Sequence, residues 1–275
     1  MKITKVDSLD DAALEPYRTM RRTMEHRANG IFVAEGEKVV RRLLESNLEV
    51  LSLLLTPEWF EQYSTILTDR KVEQGAFIAA KERLEDIVGF GLHQGIMAIG
   101  KAPEQLDVAE FARKCHTPRL FVAADGIANA ENMGVIARSC AAFGVRALIV
   151  GESSCDPYLR RSVRNSMGTI FSLPVAKVDK LSSVLESLRD EFSIKVIAAD
   201  PKNESEDVSA ADLTGDICLV FGSEGDGISR EVMERCSERI KIAMYHGVDS
   251  INVAVSVGVI LYETARQRNA AKSWS

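Results

Sequence analysis

From residue 118 onward the chain alternates between two hydrophobic patterns. The runs RLFVAAD, VRALIVG, IKVIAAD, ICLVFG and ERIKIAM are almost wholly apolar and short. Between them, NMGVIARSCAAFG, YLRRSVRNSMG, LESLRDEF and SREVMERC carry their apolar residues at helical spacing. An unbroken apolar strand is buried on both faces, so the pattern predicts a mostly parallel sheet with helices on both sides. A long apolar helix closes the chain after Asn252. In such sheets ligands bind beyond the carboxyl ends of the strands.

The first hundred residues follow a shorter α/β rhythm. EPYRTMRRTMEHR reads as one basic helix carrying Arg21 and Arg22. IFVAEGEKVVRRLLESN reads as a strand, a glycine turn and an amphipathic helix with Val39, Val40, Leu43 and Leu44 on one face. EVLSLLLT, FIAA and QGIMAIGK read as strands. The Pro-bounded stretch APEQLDVAEFARKCHTP separates this part from the rest. The expected organisation is a small α/β domain over residues 1–105 and a larger one over 106–275.

Composition narrows the partners. A formal net charge of −6 excludes a protein that coats nucleic acid with its whole surface. Any RNA contact must come from local patches, such as Arg160, Arg161 and Arg164, where Arg160 and Arg164 share a helix face. Five scattered cysteines without a CxxC pair read as reduced and structural, and four dispersed histidines give no metal site. The N-terminal stretch has no secretory h-region, and the apolar run Ile251–Tyr262 is too short to span a bilayer. A cytoplasmic protein without a membrane or metal partner is expected.

Three stretches at strand ends can carry chemistry. In ADGIANAENMGVIARSCAAFGV a helix begins near Asn132 and stops at Gly144, with Gly134 and Arg138 four residues apart. Asn132 is either a helix cap or a ligand contact there. In ICLVFGSEGDGIS a strand runs into Gly222-Ser223-Glu224-Gly225-Asp226-Gly227. Its spacing is not the dinucleotide fingerprint, and Glu224 and Asp226 would repel a pyrophosphate. It is either an acidic turn or a site for a neutral or cationic ligand. In DSINVAVSVGVILYETARQR, Ser250 and Asn252 stand at the mouth of the last helix, as caps or as hydrogen-bonding groups of a site.

Taken in order, these stretches resemble the SpoU/TrmH family of S-adenosylmethionine-dependent RNA ribose 2′-O-methyltransferases, in the SPOUT superfamily. The resemblance rests on Asn132, Gly134, Arg138 and Phe143-Gly144; on Gly222, Glu224, Gly225 and Gly227; and on Ile242-Ala243-Met244 followed by Ser250-Ile251-Asn252-Val253 and Arg266-Gln267. The N-terminal part resembles the substrate-binding domain that often precedes this catalytic domain. Asn129-Ala130, Ala243 and Ala254 depart from the family pattern.

The resemblance implies a trefoil-knotted C-terminal SPOUT domain preceded by a small α/β RNA substrate-binding domain. It implies S-adenosyl-L-methionine held around Gly222, Ile242, Met244, Ile251 and Asn252. It assigns the reaction to Arg138, Asn132, Ser250, Asn252 and Glu224, in a homodimer whose sites borrow Arg138 from the partner. Ribosomal RNA or tRNA is the substrate, the former favoured, contacted by Arg160, Arg161, Arg164, Arg21 and Arg22. An inactive RNA-binding dimer of the same fold is the alternative, and a nucleotide-dependent oxidoreductase a weaker one.

Overall fold

A computed structural model describes residues 2–6, 11–89, 91–92, 94–202 and 204–272. The chain forms two compact units. One comprises Met1–Glu104 with Tyr158–Phe171, the other Gln105–Pro157 with Ser172–Ser275. A division between residues 105 and 106 therefore does not describe Tyr158–Phe171, which belongs with the first unit.

The first unit runs β1 (Ile3–Lys5), α1 (Glu15–Arg18), α2 (Thr23–Ala28), β2 (Ile31–Glu35), α3 (Glu37–Glu45), β3 (Val50–Leu55), α4 (Pro57–Gln62), α5 (Ser64–Asp69), β4 (Val72–Ile78), α6 (Lys81–Val88) and β5 (Ile96–Lys101). Its sheet has the order β1-β4-β3-β5-β2, parallel from β1 to β3 and antiparallel at β5. Gly36, at φ +91, turns β2 into α3, and Val39, Val40, Leu43 and Leu44 are buried as the spacing required. The basic helix expected over 15–27 is two short helices. The Thr19 hydroxyl bonds back to the Glu15 carbonyl and faces His26 Nε2 at 3.2 Å, so α2 folds back at the break. Arg21 and Arg22 lie exposed in that break.

Aromatic packing explains why Tyr158–Phe171 joins this unit. The Phe32 ring lies 5.2 Å from Phe171 and 5.4 Å from Tyr158. Gly100 clears the way for it, since a Cβ there would lie 2.3 Å from the Phe32 ring. The segment carries α9 (Arg160–Asn165).

The second unit runs α7 (Val108–Lys114), β6 (Leu120–Ala124), α8 (Ala130–Ala142) and β7 (Ala147–Val150). After the excursion it continues with β8 (Val175–Lys177), α10 (Leu181–Phe192), β9 (Lys195–Ala199), β10 (Glu206–Asp207), β11 (Ile217–Phe221), α11 (Arg230–Met233), β12 (Glu238–Lys241) and α12 (Val253–Lys272). The sheet order is β10-β12-β9-β11-β6-β7-β8, with each strand parallel to its neighbours. β6, β7 and β11 are buried at every position, as continuous apolar runs require. Phe121, Ala123, Ile149, Cys218 and Val220 point to the face covered by Leu181, Leu185 and Leu188 of α10. Strand alternation sends Val122, Leu148 and Leu219 to the other face, and α8 and α12 pack on one another.

The far end of α12 is tied down by side chains. Gln267 exchanges hydrogen bonds with Leu213 N and the Ala211 carbonyl. Arg268 donates to the carbonyls of Leu213, Arg119 and Gly215. Beside them Asp216 accepts from the Arg119 guanidinium at 2.6 and 2.9 Å. Among the described residues no helix is long and apolar enough to cross a membrane.

Candidate active site

β12, β9 and β11 are neighbours, and the segments leaving their carboxyl ends enclose a cavity of about 280 Å³. That is close to the lower limit for small-molecule sites, roughly 300 Å³. Asp200 and Lys202 come from the segment after β9, Gly222 to Ile228 from that after β11. Ile242, Met244, Ser250 and Ile251 come from the connection to α12. Phe221, Ile240 and Ile260 supply an apolar floor.

The segment after β11 is a closed hairpin. Ser223 and Gly227 exchange backbone hydrogen bonds at 3.0 and 3.1 Å, and Gly227 takes φ +73. A Cβ on Gly222 would lie 2.1 Å from the Gly227 carbonyl carbon. Gly222 is therefore required by the hairpin's own backbone crossing, not only by the approach of a ligand. Buried Asp125, at the end of β6, accepts from Ser229 N at 2.7 Å and fixes the hairpin's exit.

At the cavity rim the three motifs meet through their side chains. Asn132 Nδ2 donates to Glu224 Oε1 at 3.0 Å. Asn252 Nδ2 donates to Asn132 Oδ1 at 3.0 Å and to Glu224 Oε1 at 2.5 Å. Asn252 Oδ1 accepts from Ala254 N and Val255 N, so Asn252 caps α12 while bridging the other two residues. Its amide orientation is fixed, because each end has partners that the other could not serve.

This resolves which polar residues are caps. Asn129, not Asn132, caps α8, accepting from Glu131 N at 2.7 Å. Asn132 sits in the first turn with its amide left to reach Glu224. Asn252, not Ser250, caps α12; Ser250 is exposed on the cavity wall. Gly144, at φ +72, follows the last turn of α8, and Val145 N reaches back to the Cys140 carbonyl, as expected for a glycine stop.

Other expected residues lie elsewhere. Gly134 is buried whereas Arg138 is exposed, so the two do not form one open face of α8. Arg138 shares the outer stripe of α8 with Val135 and lines no part of the cavity. On α12, Val257, Ile260 and Leu261 are buried, while Val255, Val259 and Tyr262 are exposed, and the rings of Tyr262 and Phe143 meet edge to face. The last helix thus has a buried side and an apolar exposed stripe. Gly222, Ile242, Met244 and Ile251 line the cavity; Asn252 turns its side chain into the rim network.

The arginines divide too. Arg160 pairs with Glu35, a nearly buried carboxylate in the same unit, and Arg164 approaches it at 3.5 Å. Arg161 is exposed, and Arg22 pairs only loosely with Glu25 at 3.6 Å. All five cysteines are free thiols. Burial pushes Cys140 and Cys218 well above the usual thiol range and Cys236 up to about 12, which makes them poor nucleophiles. Among the described residues no group of histidine, cysteine and carboxylate side chains could hold a metal; His93 lies outside them.

The wall after β9 was not anticipated from sequence. Its only signal was a strand reading IKVIAAD that ends, like the motif strands, in a polar residue.

A parallel sheet with a cavity at the carboxyl ends of three adjacent strands defines an α/β protein built to bind a small molecule. Comparison with known proteins makes this specific. The model of the SpoU rRNA Methylase family matches residues 119–262. The 23S rRNA (guanosine-2′-O-)-methyltransferase RlmB of Coxiella burnetii is 30% identical over 252 residues, 89% of this chain and 94% of that protein. An uncharacterized tRNA/rRNA methyltransferase of Mycobacterium bovis is 29% identical over 266 residues, 94% of this chain and 90% of that one. The SpoU methyltransferase AviRb from Streptomyces viridochromogenes, solved in complex with the cofactor AdoMet, shares the fold. Its TM-score is 0.83 at 24% identity, covering 94% of this chain and 100% of that chain. The chain belongs to the SpoU rRNA methylase family, as its three motifs indicated.

Proposed function

We propose that this protein transfers a methyl group from S-adenosylmethionine to a ribose 2′-hydroxyl of ribosomal RNA. The observation that carries the reading is the Asn132–Glu224–Asn252 network, which joins the family's three motifs at the rim of a nucleoside-sized cavity. The similarity to RlmB makes a guanosine of 23S rRNA the first substrate to try. A cytoplasmic location belongs to the same reading.

The cavity fits the cofactor chemically. Ile240, Ile242, Ile251 and Ile260 offer an apolar slot for a flat base, and the loop around Gly222 offers backbone groups. Gly222, Ile242, Met244 and Ile251 are the residues that would hold it. When bound, the cofactor supplies an electrophilic methyl group. The chain's own task is to align the ribose and assist loss of its hydroxyl proton. Asn132 and Ser250 orient the ribose and its phosphate, while Glu224 holds Asn132 and Asn252 in place. Arg138 offers a planar fork of N–H donors and no acceptor. It holds the neighbouring phosphate and stabilises the developing oxyanion as an electrostatic clamp.

Arg138 reaches a site through dimerisation in this reading. The apolar stripe of Val135, Val255, Val259 and Tyr262 beside Arg138 supports a two-fold interface that delivers the arginine to the partner's rim. A trefoil knot around the cavity belongs to the same reading. The first unit binds RNA, with exposed Arg161, Arg164, Arg21 and Arg22 as backbone contacts. Arg160 braces Glu35 instead.

The departures Ala243 and Ala254 do not favour an inactive RNA-binding dimer. Ala254 contributes its N–H to the Asn252 cap, and Ala243 is exposed. The test is incubation of the protein with labelled S-adenosylmethionine and 23S rRNA, followed by alkaline hydrolysis. Label in an alkali-resistant dinucleotide supports the reading. Label on a base, or RNA binding without transfer, would overturn it.

A further inference from the structure

Asp200 follows the last residue of β9 and forms part of the cavity wall. Only 7% of its surface is exposed, and among the described residues its Oδ2 has no hydrogen-bond partner. Its Oδ1 receives from these residues only a long bond, 3.4 Å, from Lys202 N. Burying a carboxylate oxygen without a donor is costly, and such groups in native proteins answer to a ligand, an ion or a water. No motif or family pattern read from the sequence includes this residue.

We infer that Asp200 is a cofactor-binding residue that accepts hydrogen bonds from the ribose hydroxyls of the adenosyl group. The inference rests on the proposed cofactor. Two features select the diol among the cofactor's donors. A carboxylate with both oxygens nearly unused matches a vicinal diol, which offers two donors side by side. The zwitterionic amino-acid end belongs at the exposed mouth, where Glu224, Asp226 and Asp249 are wetted, whereas the nucleoside suits the apolar interior around Ile240 and Ile260. Rotation about the soft terminal carboxylate torsion turns either oxygen toward the cavity.

The experiment is calorimetric titration of the full chain and its Asp200→Asn and Asp200→Ala variants, with thermal unfolding of each without ligand. The probes are S-adenosylhomocysteine, its 2′,3′-dideoxyribose analogue and 5′-methylthioadenosine. Wild type should prefer S-adenosylhomocysteine to the dideoxy analogue by about 10- to 100-fold, the range of charge-assisted hydrogen bonds, and the variants should lose that preference. The preference should persist in 5′-methylthioadenosine, which lacks the amino acid. The Tm of the ligand-free variants should hold or rise.

Variants that bind S-adenosylhomocysteine as wild type does would overturn the inference and leave a buried water as the partner. A variant loss confined to ligands carrying the amino acid would also overturn it, assigning Asp200 to the ammonium group. A fall in Tm of the ligand-free variants would make the carboxylate structural. Failure of wild type to bind any probe would instead overturn the cofactor reading itself, and Asp200's role with it.

Discussion

Asn252 and Glu224, 28 residues apart, are joined by a 2.5 Å hydrogen bond from the Asn252 amide to the Glu224 carboxylate. The same amide caps α12 through its oxygen. One side chain thus sets where the last helix starts and ties that start to the hairpin after β11.

Asn252→Asp separates these two duties. It keeps an oxygen for the cap but replaces the donor with a second carboxylate beside Glu224. Methyl transfer is expected to fall about 100-fold, a loss typical for misplacing a positioned group. Asn252→Ala should lose the cap as well, costing about 1 kcal/mol more in stability. An Asn252→Asp variant that kept more than about a tenth of wild-type turnover would show that the rim network does not position the reaction.

Gly222→Ala and Gly225→Ala should differ sharply. The first puts a Cβ 2.1 Å from backbone, while the second meets nothing within 4 Å. Gly222→Ala is expected to abolish binding of S-adenosylhomocysteine and lower Tm by several degrees, as a clash costing about 1–3 kcal/mol would. Gly225→Ala should leave both nearly unchanged. Calorimetry and thermal unfolding of the pair check this.

Subunit exchange tests the proposed delivery of Arg138 across a homodimer. Arg138→Lys keeps charge but loses the planar fork, so turnover should collapse while cofactor binding persists. Mixed with inactive Asn252→Asp chains, it should recover up to about a quarter of wild-type activity, because half the dimers then hold one intact shared site. Recovery should vanish in chains also carrying Val259→Glu, which charges the exposed stripe. No recovery from a mixture shown to exchange subunits would mean that Arg138 serves its own chain.

The two neighbouring arginines of α9 should fail in different ways. Arg160→Ala leaves the nearly buried Glu35 with a weaker counter-charge and is expected to cost about 2 kcal/mol of stability. Arg161→Ala should leave Tm unchanged and reduce the salt dependence of RNA binding by about one counter-ion. Unfolding curves and binding at several salt concentrations separate the two.

His26 makes the first unit sensitive to acid. Burial lowers its pKa below the usual histidine value, against an opposing pull from Glu25. The unfolded chain therefore takes up a proton before the folded one does. Stability is full above about pH 6.5 and is lost as pH falls through the lowered folded value. Tm should drop between about pH 7 and 5.5 more in wild type than in His26→Gln; equal slopes would exclude His26 as the cause.

Much of the second unit was legible because burial on both faces leaves an apolar run with no other home. Leu120–Ala124 and Ile217–Phe221 are such strands. The glycine-rich turn after Phe221 and the polar start of α12 were legible as ordered motifs. Side-chain duties within motifs were not, because a cap depends on helix phase by a single residue: Asn129 caps where Asn132 could have, and Asn252 where Ser250 could have. Partners far apart in sequence were hidden as well. Nothing near Arg160 announces Glu35, 125 residues earlier. Asp200 joins the cavity only because β9 lies between β11 and β12, a strand order that local pattern does not encode.

The anchoring of α12 bears on the order of assembly. Its first residues complete the rim, and Gln267 and Arg268 fasten its end to the segment around Leu213. β6, at the heart of the sheet, has to wait for β11, whose pairing residues lie nearly a hundred positions later. Contacts this remote in sequence close late and slowly. On the ribosome, a nascent chain that has not yet emerged to Lys241 carries an unfinished sheet, and one that has not emerged to Ile260 lacks part of the pocket wall. Competence therefore arrives in one late step, when the last helix docks, and the growing polypeptide has apolar strands for a chaperone to shield until then.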